Sequence, residues 1–286
     1  MIETRRVETG PGLVFDVSVS GPGSGPLVLM LHGFGVSRFY WNAQMPALAA
    51  AGYFAVAPNQ RGYSADARPD PADHAQYRID RLIGDAFDIV SVLGFGDRRF
   101  HLVGHDWGAS LAWQIADEHP ERLLSLTSLS RPHPLAFARA LALPDGEQAR
   151  RSRHHTRFLQ PNAGPDILAG NANWLRTRLT ANGVPPAAIE AHLSVLGNPP
   201  AMEAALAWYR ARGVRHAPVG PTKVPTLFLW GDSDDTVGRA AAEGTGEFIA
   251  APYQFEVLPG VGHYAADQVP ERVNELLLAH LARHGV

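Results

Sequence analysis

The sequence contains no cysteine among its 286 residues, which excludes disulfides, thiolate metal ligands, iron–sulfur clusters and a cysteine nucleophile. Lysine is also nearly absent, because Lys223 is the only one and arginine supplies every other cationic side chain. With 25 basic and 28 acidic residues, the net charge is −3, and we expect no nucleic-acid partner. No apolar run approaches the roughly 18 residues that a membrane span requires, so no membrane partner is expected either.

The composition is that of an ordinary globular protein, with 45% apolar and 19% charged residues. Charged residues at positions 3–6 are followed by no apolar stretch, so we expect no secretory signal and predict a cytoplasmic protein. The 13 histidines show no metal-ligand spacing such as H-E-x-x-H, so neither a metal nor a cofactor is expected. A monomer or a homodimer is the expected assembly.

Three zones of the chain differ in their patterning. Residues 1–131 and 223–286 alternate short apolar runs with helical spacing, which is typical of a parallel sheet covered by helices. Within the first zone, Val14–Val19 and Leu27–Leu31 flank a Gly/Pro/Ser turn and are predicted to form an opening hairpin. Residues 132–222 contain helical segments broken by proline and no convincing strand. We therefore predict one α/β core domain (1–131 and 223–286) with an inserted helical cap (132–222).

The most informative stretch is a short apolar strand followed by G-x-D-x-G and a helical pattern. Gly104 and Gly108 flank Asp106, and the strand Phe100–Val103 precedes them. A sharp strand-to-helix turn needs small flanking residues, and it presents its central side chain at the carboxyl edge of the sheet. The pattern predicts that Asp106 is a nucleophile. The alternative is that the glycines are ordinary turn residues and Asp106 is a helix N-cap.

Three further motifs also follow predicted strands. Phe34, in His-Gly-Phe-Gly, lies where a loop can supply an oxyanion-binding N–H, and His263 closes a Gly-Val-Gly-His motif. Between them, Asp234 follows the predicted strand Thr226–Trp230, and we prefer it to its acidic neighbours as the partner of the histidine. The chain order of nucleophile, acid and histidine is that of α/β-hydrolases.

The sequence resembles the α/β-hydrolases that use an aspartate nucleophile, a branch that includes epoxide hydrolases and haloalkane or haloacid dehalogenases. The likeness covers essentially the whole chain. The stretch Gly104 to Pro134, with Asp-Trp-Gly, His-Pro-Glu-Arg and Arg-Pro-His-Pro, is most similar to epoxide hydrolases. The resemblance implies a mostly parallel eight-stranded sheet and an oxyanion hole formed by the backbone N–H groups of Phe34 and Trp107.

A carboxylate nucleophile is suited to displacement at an sp³ carbon, where its attack produces an alkyl-enzyme ester. Water would then attack the carbonyl carbon of Asp106. His263 would deprotonate that water, and Asp234 would orient the imidazole and stabilise its charged form.

The leaving group decides between the possible reactions. Epoxide hydrolases usually place two Tyr hydroxyls over the nucleophile, and Ala-Trp-Tyr-Arg at 207–210 matches the pattern around the second, so Tyr209 is the candidate proton donor. The position of the first holds His154, and such a His/Tyr pair resembles the Cif-type epoxide hydrolases. The alternatives are a packed ring for Tyr209 and a surface residue for His154.

A dehalogenase with the same triad is the main alternative, since fluoroacetate dehalogenases also carry a His at the position of His154. Those enzymes, however, follow the nucleophile with an Arg, and this chain has Trp107 there. In haloalkane dehalogenases a second halide donor comes from the His-Gly-x loop or the cap. Phe34 cannot donate, although Trp174 or Trp208 could.

We predict an epoxide hydrolase acting on a small, uncharged epoxide. A non-catalytic ligand-binding homologue is the less favoured alternative. The predicted substrate pocket is formed by the side chains of Phe34, Trp107, His155, Trp174 and Trp208.

Overall fold

The computed structural model of the chain describes residues 1–10, 12–144, 146–211 and 219–285. Within these ranges eight strands form one sheet in the order β1-β2-β4-β3-β5-β6-β7-β8. The strands are β1 (Glu3–Gly10), β2 (Leu13–Ser20), β3 (Leu27–Leu31), β4 (Phe54–Pro58), β5 (Phe100–His105), β6 (Leu123–Leu129), β7 (Thr226–Gly231) and β8 (Tyr253–Leu258). Strands β3 to β8 pair in parallel, whereas β2 is antiparallel to both of its neighbours. The predicted mostly parallel eight-stranded sheet is confirmed.

Helices flank this sheet and connect its strands. In the described ranges they are α1 (Gln44–Ala50), α2 (Ile79–Val90), α3 (Trp107–Glu118), α4 (Pro134–Leu141), α5 (Glu147–Arg151), α6 (His154–Phe158), α7 (Ala163–Ala181), α8 (Pro186–Leu196), α9 (Pro199–Arg210), α10 (Arg239–Glu243), α11 (Ala265–Gln268) and α12 (Pro270–Arg283). None of them is long and apolar enough to cross a membrane.

The predicted opening hairpin is wrong. The antiparallel partner of β2 is β1, while Leu27–Leu31 lies between β4 and β5 with parallel pairing on both sides. All five residues of that strand are buried, as in a central strand covered by helices on both faces. The β1 strand shows no apolar pattern in the sequence because it is an edge strand with exposed charged residues. Such charges oppose pairing of the edge with another chain.

Helices α4 to α9, which we call the helical insertion, lie between β6 and β7. No strand occurs among the described residues of this insertion, as the proline-rich pattern predicts. The predicted cap boundaries, 132–222, also enclose residues 145 and 212–218, which lie outside the described ranges. Buried side chains of the insertion, such as Phe158 and Leu206, belong to the same apolar core cluster as β3 and β5. The insertion is therefore packed on the sheet domain.

Candidate active site

The turn between β5 and α3 holds Asp106 in a strained backbone conformation, with φ of 49° and ψ of −112°. Both flanking positions require glycine for steric reasons. A Cβ on Gly104 would lie 2.5 Å from the Ala109 Cα, and one on Gly108 would overlap the carbonyl of Leu31. The turn therefore presents Asp106 at the carboxyl edge of the sheet, as G-x-D-x-G predicts.

Two groups contact the Asp106 carboxylate. The Phe34 N–H donates to Oδ1 at 3.0 Å, and the His263 Nε2 lies 3.7 Å from Oδ2. Trp107 begins α3, and the N–H groups of a first helical turn have no partner within their helix. Such a helix N-terminus also stabilises negative charge on Asp106. The two predicted oxyanion-hole residues therefore flank the candidate nucleophile.

The loop after Phe34 follows a path that requires glycine at position 35. Gly35 has φ of 84°, a value that proline cannot adopt because its ring holds φ near −65°. A Cβ at this position would also lie 3.2 Å from the Leu175 side chain and from the Tyr264 hydroxyl. In this chain, glycine at position 35 is therefore required by the path of the loop, and the Phe34 N–H still reaches Asp106.

His263 is joined to Asp234, the acid that the sequence favours. The His263 Nδ1 lies 2.9 Å from Oδ2 and 3.0 Å from Oδ1 of Asp234, and both side chains are buried. The N–H groups of Thr236 and Val237 donate to Asp234 Oδ1 at 2.7 Å and 3.1 Å. These bonds stabilise the ionised carboxylate and set the orientation of the imidazole.

The electrostatics of the site favour an ion pair in the resting protein. Burial by itself lowers the pKa of His263, but the carboxylates of Asp234 and Asp106 outweigh it and raise this pKa to about 10. Burial likewise opposes the charge on Asp106, yet His263 and the Phe34 N–H hold the Asp106 pKa well below its usual value. At neutral pH the imidazole of His263 is therefore protonated and the Asp106 carboxylate is ionised.

A small, partly open cavity of about 10 Å³, enough for about one water molecule, lies above Asp106, between the sheet domain and the helical insertion. It is lined by Phe34, Asp106, His154, Phe158, Trp174, Arg178, Tyr209, Thr236, His263 and Tyr264. The structure thus brings the candidate nucleophile and histidine together with Tyr209 and His154, residues from distant parts of the sequence. No cluster of three or more potential metal ligands occurs in the described part of the chain.

Three residues predicted for the pocket are not part of this lining. The Trp208 indole N–H donates to the backbone carbonyl of Arg61 at 3.0 Å, so its ring faces the sheet domain. The rings of Trp107 and His155 pack against the ring of Tyr209, with centroids 5.1 Å and 5.7 Å away. Phe34 and Trp174, by contrast, do line the cavity.

His154 has a different hydrogen-bonding state from the one expected of a proton donor. Its Nδ1 lies 3.0 Å from the backbone carbonyl of Arg151, which can only accept, so Nδ1 carries the proton. Burial, reinforced by the charge of Arg178, lowers the pKa of His154 to about 4. At neutral pH the ring is uncharged, and Nε2 is a hydrogen-bond acceptor. Donation to an epoxide oxygen would require a protonation state that is rare at pH 7.

Arg178 and Tyr264 also line the cavity, although the sequence analysis did not select them. The Arg178 guanidinium donates to Asp235, to the Thr236 hydroxyl and, at 3.4 Å, to the Tyr264 hydroxyl. Tyr264 could have been predicted from the sequence as a site residue because it directly follows His263. Nothing in the sequence around Arg178 distinguishes it from the other arginines of the insertion.

Comparison with known proteins agrees with this geometry. A family model described as the alpha/beta hydrolase fold matches residues 26–269. Mouse epoxide hydrolase 3 is 31% identical, over 97% of this chain and 77% of its own length, and Mycobacterium tuberculosis epoxide hydrolase A is 28% identical over 97% of each chain. A solved epoxide hydrolase structure from metagenomes of hot environments has a TM-score of 0.86 at 27% identity, covering 99% of this chain and 100% of that one. The chain therefore belongs to the α/β-hydrolase fold family, and it is similar over nearly its whole length to members named epoxide hydrolases.

Proposed function

We propose that this protein hydrolyses small epoxides to vicinal diols through a covalent ester on Asp106. One observation carries the proposal. A partly buried aspartate, instead of a serine or cysteine, occupies the nucleophile turn and is held between the Phe34 N–H and a protonated His263. A carboxylate in that place attacks an sp³ carbon, and the ester so formed is hydrolysed in a second step.

The two carboxylate oxygens have different roles in the first step. Oδ1 accepts the Phe34 N–H and stays in the oxyanion hole, so Oδ2 attacks an oxirane carbon. A C–O bond forms on Oδ2, the C–O bond of the ring breaks, and the released alkoxide takes a proton from the Tyr209 hydroxyl. The Tyr209 ring is held for this task by three aromatic neighbours, Phe34, Trp107 and Phe158, with centroids 5.0–5.4 Å away.

His263 is protonated in the resting protein, and ring opening consumes this proton. A carboxylate, an epoxide and one proton together give a hydroxy-ester, and the imidazolium returns that proton to the tyrosinate. Esterification removes the charge of Asp106, which is one of the causes that raise the pKa of His263. The imidazole therefore becomes a base only after the ester exists.

In the second step, neutral His263 takes a proton from water as the water oxygen attacks the carbonyl carbon of Asp106. The Phe34 and Trp107 N–H groups stabilise the oxyanion, and Asp234 stabilises the new imidazolium. Collapse of the tetrahedral intermediate breaks its C–O bond to the substrate, and the leaving alkoxide takes the remaining proton of the attacking water, so that Asp106 is released as a carboxylate and the product leaves as the diol. The cycle ends with His263 protonated and Asp106 ionised, as it began.

Epoxides are favoured over halides by the donors in the cavity. Of the halide donors considered from the sequence, the Phe34 side chain has no N–H or O–H dipole and the Trp208 N–H is bound to the Arg61 carbonyl, which leaves Trp174. An alkoxide needs a proton, which Tyr209 can supply. A dehalogenase that uses Trp174 as its donor is the second candidate, because this indole lines the cavity.

We further propose that the helical insertion is the cap predicted at 132–222 and that it closes the substrate cavity over Asp106. Phe34 and Trp174 would contact the substrate directly, whereas Trp107, His155 and Trp208 would support the cavity wall. His154 would accept a hydrogen bond from the substrate or the product hydroxyl. Cytoplasmic location and a monomeric or homodimeric state stay predictions of the sequence.

The test of this function is a single turnover in H₂¹⁸O with the enzyme in excess over an epoxide. Because water attacks the Asp106 carbonyl carbon, we expect the label in Asp106 and unlabelled diol after one cycle, as measured by mass spectrometry of the peptide and the product. Label in the first diol would contradict an ester intermediate. In a parallel panel of alkyl halides, halide release without diol formation from any epoxide would favour the dehalogenase.

The Tyr209→Phe variant should lower kcat on epoxides by about 10–10³-fold, because the alkoxide loses its proton donor. The initial rate of diol formation is the measurement. Tyr253→Phe removes a hydroxyl from β8, away from the cavity, and serves as the matched control that should keep the wild-type rate. A wild-type rate for Tyr209→Phe would show that another group protonates the alkoxide.

A further inference from the structure

Two loops carry the Asp234–His263 pair. The acid loop, residues 232–238, follows β7, and the histidine loop, residues 259–264, follows β8. The sheet domain holds these loops in part, for example through the His105 Nε2, which lies 3.0 Å from the His263 carbonyl. Side chains of the helical insertion and of its α7–α8 connection hold both loops as well, and the reaction described above gives these contacts no role.

Gln148 and Arg151, both on α5, hold the acid loop. The Gln148 side-chain amide is buried, donates to the Thr236 carbonyl at 2.9 Å and accepts from the Gly238 N–H at 2.8 Å. The Arg151 guanidinium donates to the backbone carbonyl of Asp234. Because the Thr236 N–H itself donates to the Asp234 carboxylate, fixing this backbone also fixes the carboxylate.

Arg178 and Asn182, at the end of α7, connect the two loops. The Asn182 side-chain oxygen accepts from the His263 N–H at 2.9 Å, and its amide donates to the Arg178 carbonyl at 3.0 Å. The Arg178 guanidinium donates to the Thr236 hydroxyl at 2.7 Å. One helix end therefore holds the backbone of the base and the loop of the acid in a fixed relation.

Glycines in both loops allow this close approach. A Cβ at Gly262 would overlap the Asn182 side-chain oxygen, and a Cβ at Gly238 would lie 3.1 Å from the Glu147 carboxylate of α5. The insertion and the loops thus meet at a packed junction that leaves no room for a larger residue.

Building on the hydrolase function proposed above, we propose that Gln148, Arg151, Arg178 and Asn182 form a clamp through which the helical insertion positions Asp234 and His263 for hydrolysis of the ester. They are positioning residues, because they act through these two side chains. Helices α6 and α7 also carry Phe158 and Trp174, which line the cavity. The clamp consequently couples the fit of the substrate to the alignment of the base.

Measuring ester formation and ester hydrolysis separately distinguishes a positioning role of the clamp from a general role in stability. Attack by Asp106 needs no base, and Tyr209 can regain its proton from solvent when His263 is misplaced, so Gln148→Met and Asn182→Leu should form the ester at close to the wild-type rate. Ester hydrolysis, by contrast, needs an aligned base. Hydrolysis should slow by about 10²-fold, the cost of a small misplacement of a catalytic group. Rapid quenching and intact-mass spectrometry should then show accumulated ester. Gln160→Met, the same change at an exposed position of the insertion, should not accumulate it.

The titration of His263 is a readout that does not depend on turnover. By NMR, with the resonance assigned from a His263→Gln sample, we expect its pKa to fall by about one pH unit in Gln148→Met and Asn182→Leu. Asn182→Asp keeps an acceptor for the His263 N–H and should restore the wild-type value or exceed it.

Three results would overturn the clamp: equal slowing of both half-reactions, no slowing of either, or an unchanged His263 pKa in both variants. Failure of the wild-type protein to form diol from any epoxide is a different result. It would contradict the proposed function, and the titration would then decide on the clamp by itself.

Discussion

Replacing Asp106 with asparagine should abolish diol formation, lowering kcat by at least about 10⁴-fold, because an amide oxygen is too weak a nucleophile to open the ring. The fold should persist, since the asparagine side chain can still accept the Phe34 N–H. The initial rate with freshly purified protein is the measurement, and unchanged turnover would contradict the whole mechanism. The same variant removes a carboxylate that raises the pKa of His263, so this pKa should fall from its value of about 10.

Two controls accompany this variant. Asp88→Asn makes the same change at an exposed position of α2 and should keep the wild-type rate. The Asp106→Ala variant shows whether any activity left in Asp106→Asn belongs to that variant or to protein in which the asparagine has hydrolysed back to aspartate. The site delivers water to the side-chain carbonyl carbon at position 106, so an asparagine there can slowly hydrolyse back to aspartate, whereas an alanine cannot. Activity that grows during storage of Asp106→Asn, and is absent from Asp106→Ala, would itself indicate this water-delivering geometry.

The His263→Gln variant should trap the ester. Its Asp106 remains a nucleophile, and Tyr209 can regain its proton from solvent, so ring opening continues. Hydrolysis loses its base and should slow by about 10²–10⁴-fold. Intact-mass spectrometry after mixing with an epoxide should show one adduct of the full epoxide mass, and peptide mapping should place it on Asp106.

The class of compound that leaves an adduct decides between the candidate functions. Adducts from alkyl halides but from no epoxide would contradict the epoxide hydrolase and support the dehalogenase. Absence of any adduct, together with absence of turnover in the wild-type protein, would favour a ligand-binding homologue. His74→Gln, which alters an exposed histidine, is the matched control and should turn over without an adduct.

The nucleophile turn illustrates a feature that could be predicted from the sequence because its causes are local. Gly104 and Gly108 are needed by the path of the turn itself, and apolar runs such as Leu123–Leu129 form strands because both of their faces are buried. The strands that precede the triad positions are likewise set by local patterns, so Asp106, Asp234 and His263 could be selected before any contact was known.

The predicted opening hairpin was wrong for a non-local reason, and the protonation state of His154 also depends on non-local contacts. The pairing of β1 with β2 leaves Leu27–Leu31 free to join the centre of the sheet, a choice that depends on all the strands together. The proton position on His154 depends on the Arg151 carbonyl, and its low pKa depends on burial and on the charge of Arg178. Neither the pairing nor the buried environment leaves a pattern in the local sequence.

From its residues alone, this chain could be assigned to an α/β sheet with a helical insertion, an aspartate nucleophile and a histidine–acid pair, because periodicity and turn chemistry act over a few residues. The raised pKa of His263 depended on the fold bringing Asp234 and Asp106 to it, and the composition of the cavity and the contacts of the clamp depended on docking of the insertion. Gln148 and Thr236 are 88 residues apart, and Asn182 and His263 are 81 apart. Interactions over such separations are set by the packing of whole elements, so only the tertiary structure could show them.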